Sequence, residues 1–119
     1  MADQTSPELA LDRGAYEELA REIGDEGARE IRAVFLTETD ARLKLLRQLL
    51  PDTHRAKIGR EAHSLKSAAG TFGYRRLASL ALQVERHADT LSNDEYLRLL
   101  DNIEAAYADG RALELPDNA

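Results

Sequence analysis

The chain has 119 residues, 43% of them apolar and 32% charged, with 16 basic against 22 acidic side chains and no cysteine. This length and balance fit one globular domain around a single core, and the lack of cysteine excludes disulfides and thiolate-held metals. A net charge of −6 argues against a polyanionic partner, so nucleic-acid binding is not expected.

β-Branched residues are few, and no stretch alternates long enough for a convincing strand, so the elements are helices. Residues 1–11 are expected to form a loose arm. Asp12 caps a short first helix, DRGAYEELAREIG, that ends near Gly24. A long second helix starts at Asp25 or its neighbours and runs to Leu50, where Pro51 stops it. Asp52 or Thr53 caps a third helix that reaches the Gly70 to Gly73 region. A fourth runs from about Tyr74 to Leu91, with Leu77, Leu80, Ala81, Val84, Ala88 and Leu91 on one face. Ser92 or Asn93 caps a fifth, which carries Tyr96, Leu99, Leu100, Ile103 and Tyr107 and has Gly110 near its end. Residues 112–119 are expected to be a tail.

Four substantial amphipathic helices with short connections fold most simply as an antiparallel up-down-up-down four-helix bundle. The expected fold class is therefore all-α, with the bundle domain over residues 12–111 and the additional short N-terminal helix across one end.

The third helix holds the chemistry. At about 100° per residue, with Ile58 at zero, Ala62, Leu65, Ala69 and Phe72 fall within about 40° and define the core stripe. His63 sits about 140° away and points outward. Its outer-face neighbours are Gly59, Ser67 and Gly70, all with little or no side chain, so a large molecule can approach the imidazole closely. Lys66 reads as the one long neighbour, and it is cationic.

If the third and fourth helices form a hairpin turning near Gly73 and Tyr74, residues whose numbers sum to about 148 lie at equal height. Glu85 is then level with His63, on the flank of its helix that faces the same groove. A carboxylate that accepts a hydrogen bond from Nδ1–H leaves Nε2 as an unprotonated nucleophile and stabilises the charge that develops on the ring. A lysine one turn on can neutralise an incoming phosphoryl oxygen.

The stretch AHSLKSAAGTFGYRRLASLALQVE resembles the signature of histidine-containing phosphotransfer (HPt) domains, commonly H-x-L-K-G with a glycine ten residues after the histidine. His63, Leu65, Lys66 and Gly73 match, and a looser resemblance runs from about Asp12 to Ala108. The resemblance implies that His63 is the phosphoacceptor through Nε2, that Lys66 lies near the phosphoryl group, and that Glu85 orients the ring. It places Gly59, Ser67, Gly70 and Gly73 as small residues that keep access open. Ser67 departs from the usual glycine, yet remains small.

By the same resemblance the chain is a phosphocarrier in a multistep His-Asp phosphorelay, without autokinase activity. Its partners would be response-regulator receiver domains, including one carried by a hybrid histidine kinase. The receiver would supply Mg²⁺, so no intrinsic cofactor is expected. Leu36 and Leu82 are the candidate apolar docking residues.

Three rivals can be weighed. His54 and His87 raise a zinc site, but neither converges with His63, so no metal is expected. An HPt-like interaction module that binds a receiver or kinase without carrying phosphate is the alternative function; the intact trio argues against it. The phosphoacceptor domain of a chemotaxis-type kinase would need an ATP-binding domain, so a free-standing protein is expected, and a four-helix core that closes on itself permits a monomer. The start MADQTSPELA lacks the features of a secretion signal, and no apolar run approaches the ~20 residues of a membrane span, so the expected setting is cytoplasmic.

Overall fold

The computed structural model describes residues 8–114, and every regular element among them is a helix. They are α1 (Arg13–Ile23), α2 (Asp25–Gln48), α3 (Pro51–Thr71), α4 (Arg75–His87) and α5 (Asn93–Glu114). Each of α2 to α5 packs on the next, α5 returns to α2 to close the bundle, and α1 lies on α2. The apolar stripes expected on α3, α4 and α5 are the core: Ile58, Leu65, Ala69, Leu77, Ala81, Tyr96 and Leu100 are all fully buried. Phe35 of α2 stacks on Phe72 at 4.7 Å and meets Tyr74 edge-on at 5.1 Å, a pairing favourable beyond simple area burial. The tyrosine hydroxyls are satisfied within the bundle: Tyr96 donates to the Leu46 carbonyl at 2.6 Å and Tyr107 to Asp40 Oδ1 at 3.0 Å.

Several helix ends differ from expectation, each for a local reason. Pro51 does not stop α2 but opens α3, since a first-turn residue needs no N–H partner. The stop comes one step earlier, where Leu49 and Leu50 are extended, as the residue preceding a proline must be. Neither Asp52 nor Thr53 caps α3. Asn93 Oδ1 accepts from the Asp52 N–H at 3.3 Å across the bundle, and the Leu50 carbonyl takes those of Thr53 and His54.

α4 ends at His87 rather than near Leu91, and Ala88–Thr90 form a turn. The Arg55 guanidinium holds that turn by donating to the carbonyls of Ala88 and Leu91. Ser92 is the α5 cap, in a reciprocal box: the Glu95 N–H donates to Ser92 Oγ, and the Ser92 N–H donates to Glu95 Oε1. The Ser92 N–H first, and the Ser92 hydroxyl second, hold the Glu95 carboxyl below the usual carboxylate range.

Both domain boundaries also move. Residues 8–11 are not a loose arm: Ala10 and Leu11 are buried, and the Leu9 carbonyl accepts from the Arg76 N–H at 2.9 Å. They supply the cap that α4 lacks in its own sequence. At the other end α5 continues three residues past 111 to Glu114, whose buried carboxylate accepts from the Tyr74 hydroxyl at 2.5 Å and pairs with Arg32 at 3.3 Å. Residues 1–7 of the expected arm and 115–119 of the expected tail lie outside the described residues.

The α3–α4 turn sets the register of the functional hairpin. The Tyr74 N–H reaches back to the Ala69 carbonyl and that of Gly73 to Gly70, which is a Schellman closure. It requires the left-handed conformation of Gly73, at φ +82°. A Cβ there would also collide with the Asp12 carbonyl, whose own N–H donates to the Gly73 carbonyl at 2.7 Å. Gly73→Ala should therefore destabilise the protein by about 2 kcal/mol or more. Thermal and urea unfolding check this; unchanged stability would remove Gly73 from this role.

Candidate functional site

The histidine face is built on the middle of α3 and completed by α4. His63 projects from α3 with 58% of its side chain exposed, and its Nδ1 lies 2.8 Å from Glu85 Oε2. An ionised carboxylate can only accept, so this contact requires the proton on Nδ1 and, in the neutral ring, leaves the Nε2 lone pair free. Glu85 is less open, with 28% of its side chain exposed, and its second oxygen, Oε1, is 3.1 Å from Lys66 Nζ. One carboxylate thus spans the inter-helix groove and holds both the imidazole and the ammonium. The Lys66 ammonium first, and the His63 hydrogen bond second, hold the Glu85 carboxyl below its ordinary value of 4.5.

The ring overlooks an open depression of about 740 Å³ lined by Ala56, Gly59, Arg60, His63, Ser64 and Glu85. Helical side chains lean toward the N-terminus of their helix, so the imidazole overhangs the turn that carries Gly59 and Arg60. Gly59 faces the turn after α4, where a Cβ would sit 3.7 Å from that of Ala88, so its hydrogen deepens the depression without being forced by a clash. Ser67, one turn further on, is exposed, and its carbonyl accepts from the Thr71 hydroxyl.

The structure thus gathers His63, Lys66, Glu85 and Gly59 at one place. It does not bring every expected residue there. Gly70 has open space around it and borders a second depression with Asp12, Ala15 and Arg75, nearer the hairpin turn. Gly73 is buried beneath the N-terminal segment ten residues from His63, so its smallness serves the turn and not access to the ring. Leu36 of α2 is half-buried and packs against the core, and its main-chain carbonyl accepts from the Tyr107 hydroxyl of α5. Leu82 is half-buried, lies outside the core cluster, and sits one turn before Glu85 on the same helix.

Sequence reasoning missed Arg60, which lines the depression three residues before His63. The signal was the i, i+3 spacing, which makes Arg60 a helical neighbour of His63. His54 bonds the Thr53 hydroxyl, and His87 stands at the α4 terminus. Among the described residues no three histidine, aspartate or glutamate side chains gather as metal ligands.

The lowered Glu85 carboxyl has a measurable signature. A depressed acid contributes its stability above the unfolded-state value and loses it as pH falls through the folded one. In a ¹³C carboxyl titration Glu85 should titrate below the ordinary glutamate range. Lys66→Met should raise it more than His63→Gln does, and an equal titration in all three proteins would contradict the shared-carboxylate geometry.

Comparison with known proteins agrees with this site. The family model described as Hpt domain matches residues 30–112. The phosphorelay protein LuxU of Vibrio harveyi is 31% identical over 78 residues, which cover 66% of this chain and 68% of that protein. No solved structure matches. The match includes the hairpin that carries His63, Lys66 and Glu85, and the chain belongs to the Hpt domain family, whose members are phosphocarriers of phosphorelays.

Proposed function

We propose that His63 is the residue that carries the phosphoryl group, through Nε2. The donor is an aspartyl phosphate of a receiver domain, and the group is then passed to another receiver. The observation that supports this most directly is the 2.8 Å contact of Nδ1 with Glu85 beside a ring that stays largely open. In the forward step the Nε2 lone pair forms the N–P bond while the acyl-phosphate P–O bond breaks and aspartate leaves as carboxylate. Nδ1 keeps its proton, so the ring becomes cationic, and Glu85 stands against that charge.

Lys66 tethers Glu85 through its second oxygen and adds positive charge beside the ring. The site offers a nucleophile and charge compensation and no nucleotide-cradling loop, which supports a carrier without autokinase activity. Mg²⁺ and most of the transition-state stabilisation belong to the receiver in this reading, so the chain needs no cofactor of its own. A bundle that buries the apolar stripes of α3, α4 and α5 within itself supports a monomer. Among the described residues no helix is long and apolar enough to cross a membrane. The lack of cysteine in the sequence supports a cytoplasmic setting, where the receivers, including that of a hybrid kinase, would be met.

Incubation with a phosphorylated receiver should give an acid-labile label on the wild-type chain and none on His63→Gln. Label that persists on the variant would remove His63 from this role. A hydrogen bond to a charged group is worth about 1.5–3 kcal/mol, so Glu85→Ala should slow transfer by about ten- to a hundredfold.

Receiver docking close to the ring assigns Leu82 to the interface. Leu82→Asp should weaken receiver binding with helicity and melting unchanged, as measured by titration calorimetry and circular dichroism. A collapse of melting instead would make Leu82 a packing residue.

A further inference from the structure

We infer that Arg60 is the cation that receives the phosphoryl group at His63, and that Lys66 acts first as a tether for Glu85. This rests on His63 being the phosphoacceptor. The two cations near the ring are not equivalent. Lys66 Nζ is held at 3.1 Å by Glu85 Oε1 and does not line the depression before the ring. Arg60 does line it, is exposed, and makes no hydrogen bond or ion pair among the described residues. Its neighbour Glu61 is engaged elsewhere, with Arg42 at 3.0 Å. The positions three and four residues from Arg60 along α3 are Ala56, Lys57, His63 and Ser64, none of them a counter-ion.

Geometry places the incoming group on the same side. Nδ1 is turned to Glu85 across the groove, so Nε2, on the other edge of the ring, faces away from that carboxylate. The open space beside the ring is bordered by Ala56, Gly59, Arg60 and Ser64 as well as Glu85, and the imidazole leans toward the turn that carries Arg60. A guanidinium matches two phosphoryl oxygens with parallel N–H donors, which an ammonium does not. Lys66 would have to leave Glu85 to reach the phosphoryl group, and that would loosen the carboxylate just when the ring becomes cationic. Arg60 can engage without breaking any ion pair.

The test uses the full chain and a small donor, so that receiver docking does not enter. Phosphoramidate transfers its phosphoryl group to imidazole as the N–P bond to ammonia breaks and ammonia leaves. Wild type, Arg60→Ala and Arg60→Lys are phosphorylated, and the ³¹P resonance of the phosphohistidine is titrated with pH. A nearby cation favours the dianion, so Arg60→Ala should raise the phosphoryl titration midpoint by about 0.5 pH unit. Arg60→Lys should fall between the two, and formation should slow about threefold in the alanine variant. Melting should be unchanged, since the guanidinium holds nothing in the fold.

An unmoved ³¹P midpoint in Arg60→Ala overturns the assignment whatever the rate does. Wild type that forms no phosphohistidine at His63 overturns the carrier reading, and this one with it.

Discussion

One carboxylate shared between two helices organises this protein. Glu85 on α4 presents one oxygen to His63 Nδ1 and the other to Lys66 Nζ, both on α3. The pair of contacts fixes the tautomer of a surface histidine, and it does so without burying the ring. Burial would have protected the hydrogen bond better but closed the site to a macromolecular donor. The compromise is a carboxylate that is mostly covered beneath an imidazole that is mostly open.

That arrangement is only as good as the register of the α3–α4 hairpin, and the rest of the fold guards it. The Schellman closure at Gly73 sets the turn. The N-terminal segment then clamps the turn from outside, through Asp12 and Leu9, and gives α4 the cap its own sequence lacks. Asp12 does double duty, as its carboxylate caps α1 and also meets the Arg75 guanidinium at the start of α4. Beneath the turn, Tyr74 is held by Phe35, Tyr107 and the Glu114 carboxylate at the end of α5. Burial and that hydrogen bond push the Tyr74 hydroxyl far up, so it stays a donor throughout. The small surface around the histidine is therefore backed by a large, rigid support.

Much of this was legible in the sequence because helical periodicity is a local property. The stripe Ile58, Ala62, Leu65, Ala69 and Phe72 defines which way α3 faces, and the rest of the wheel follows, His63 included. Glu85 could be found because a short turn ties the heights of two helices together. What escaped was long-range. Gly73 reads as one more small residue near a histidine until the Asp12 backbone is seen lying against it. Leu36 and the residues past 111 look peripheral until Tyr107 and Tyr74 reach them from other helices. Pro51 misleads for a different reason, since the same ring that ends one helix is suited to begin the next. Arg60 is legible from its i, i+3 spacing to His63 and the N-terminal lean of helical side chains, which together bring it to the edge of the ring's depression.

The most direct measurement is of the imidazole proton itself. A long-range ¹H–¹⁵N correlation on the unphosphorylated chain, in mildly alkaline solution, distinguishes a protonated from an unprotonated ring nitrogen. The account predicts His63 with its proton on Nδ1 and a bare Nε2, and loss of that preference in Glu85→Ala. A ring with its proton on Nε2, or one that samples both tautomers equally with Glu85 in place, would contradict it.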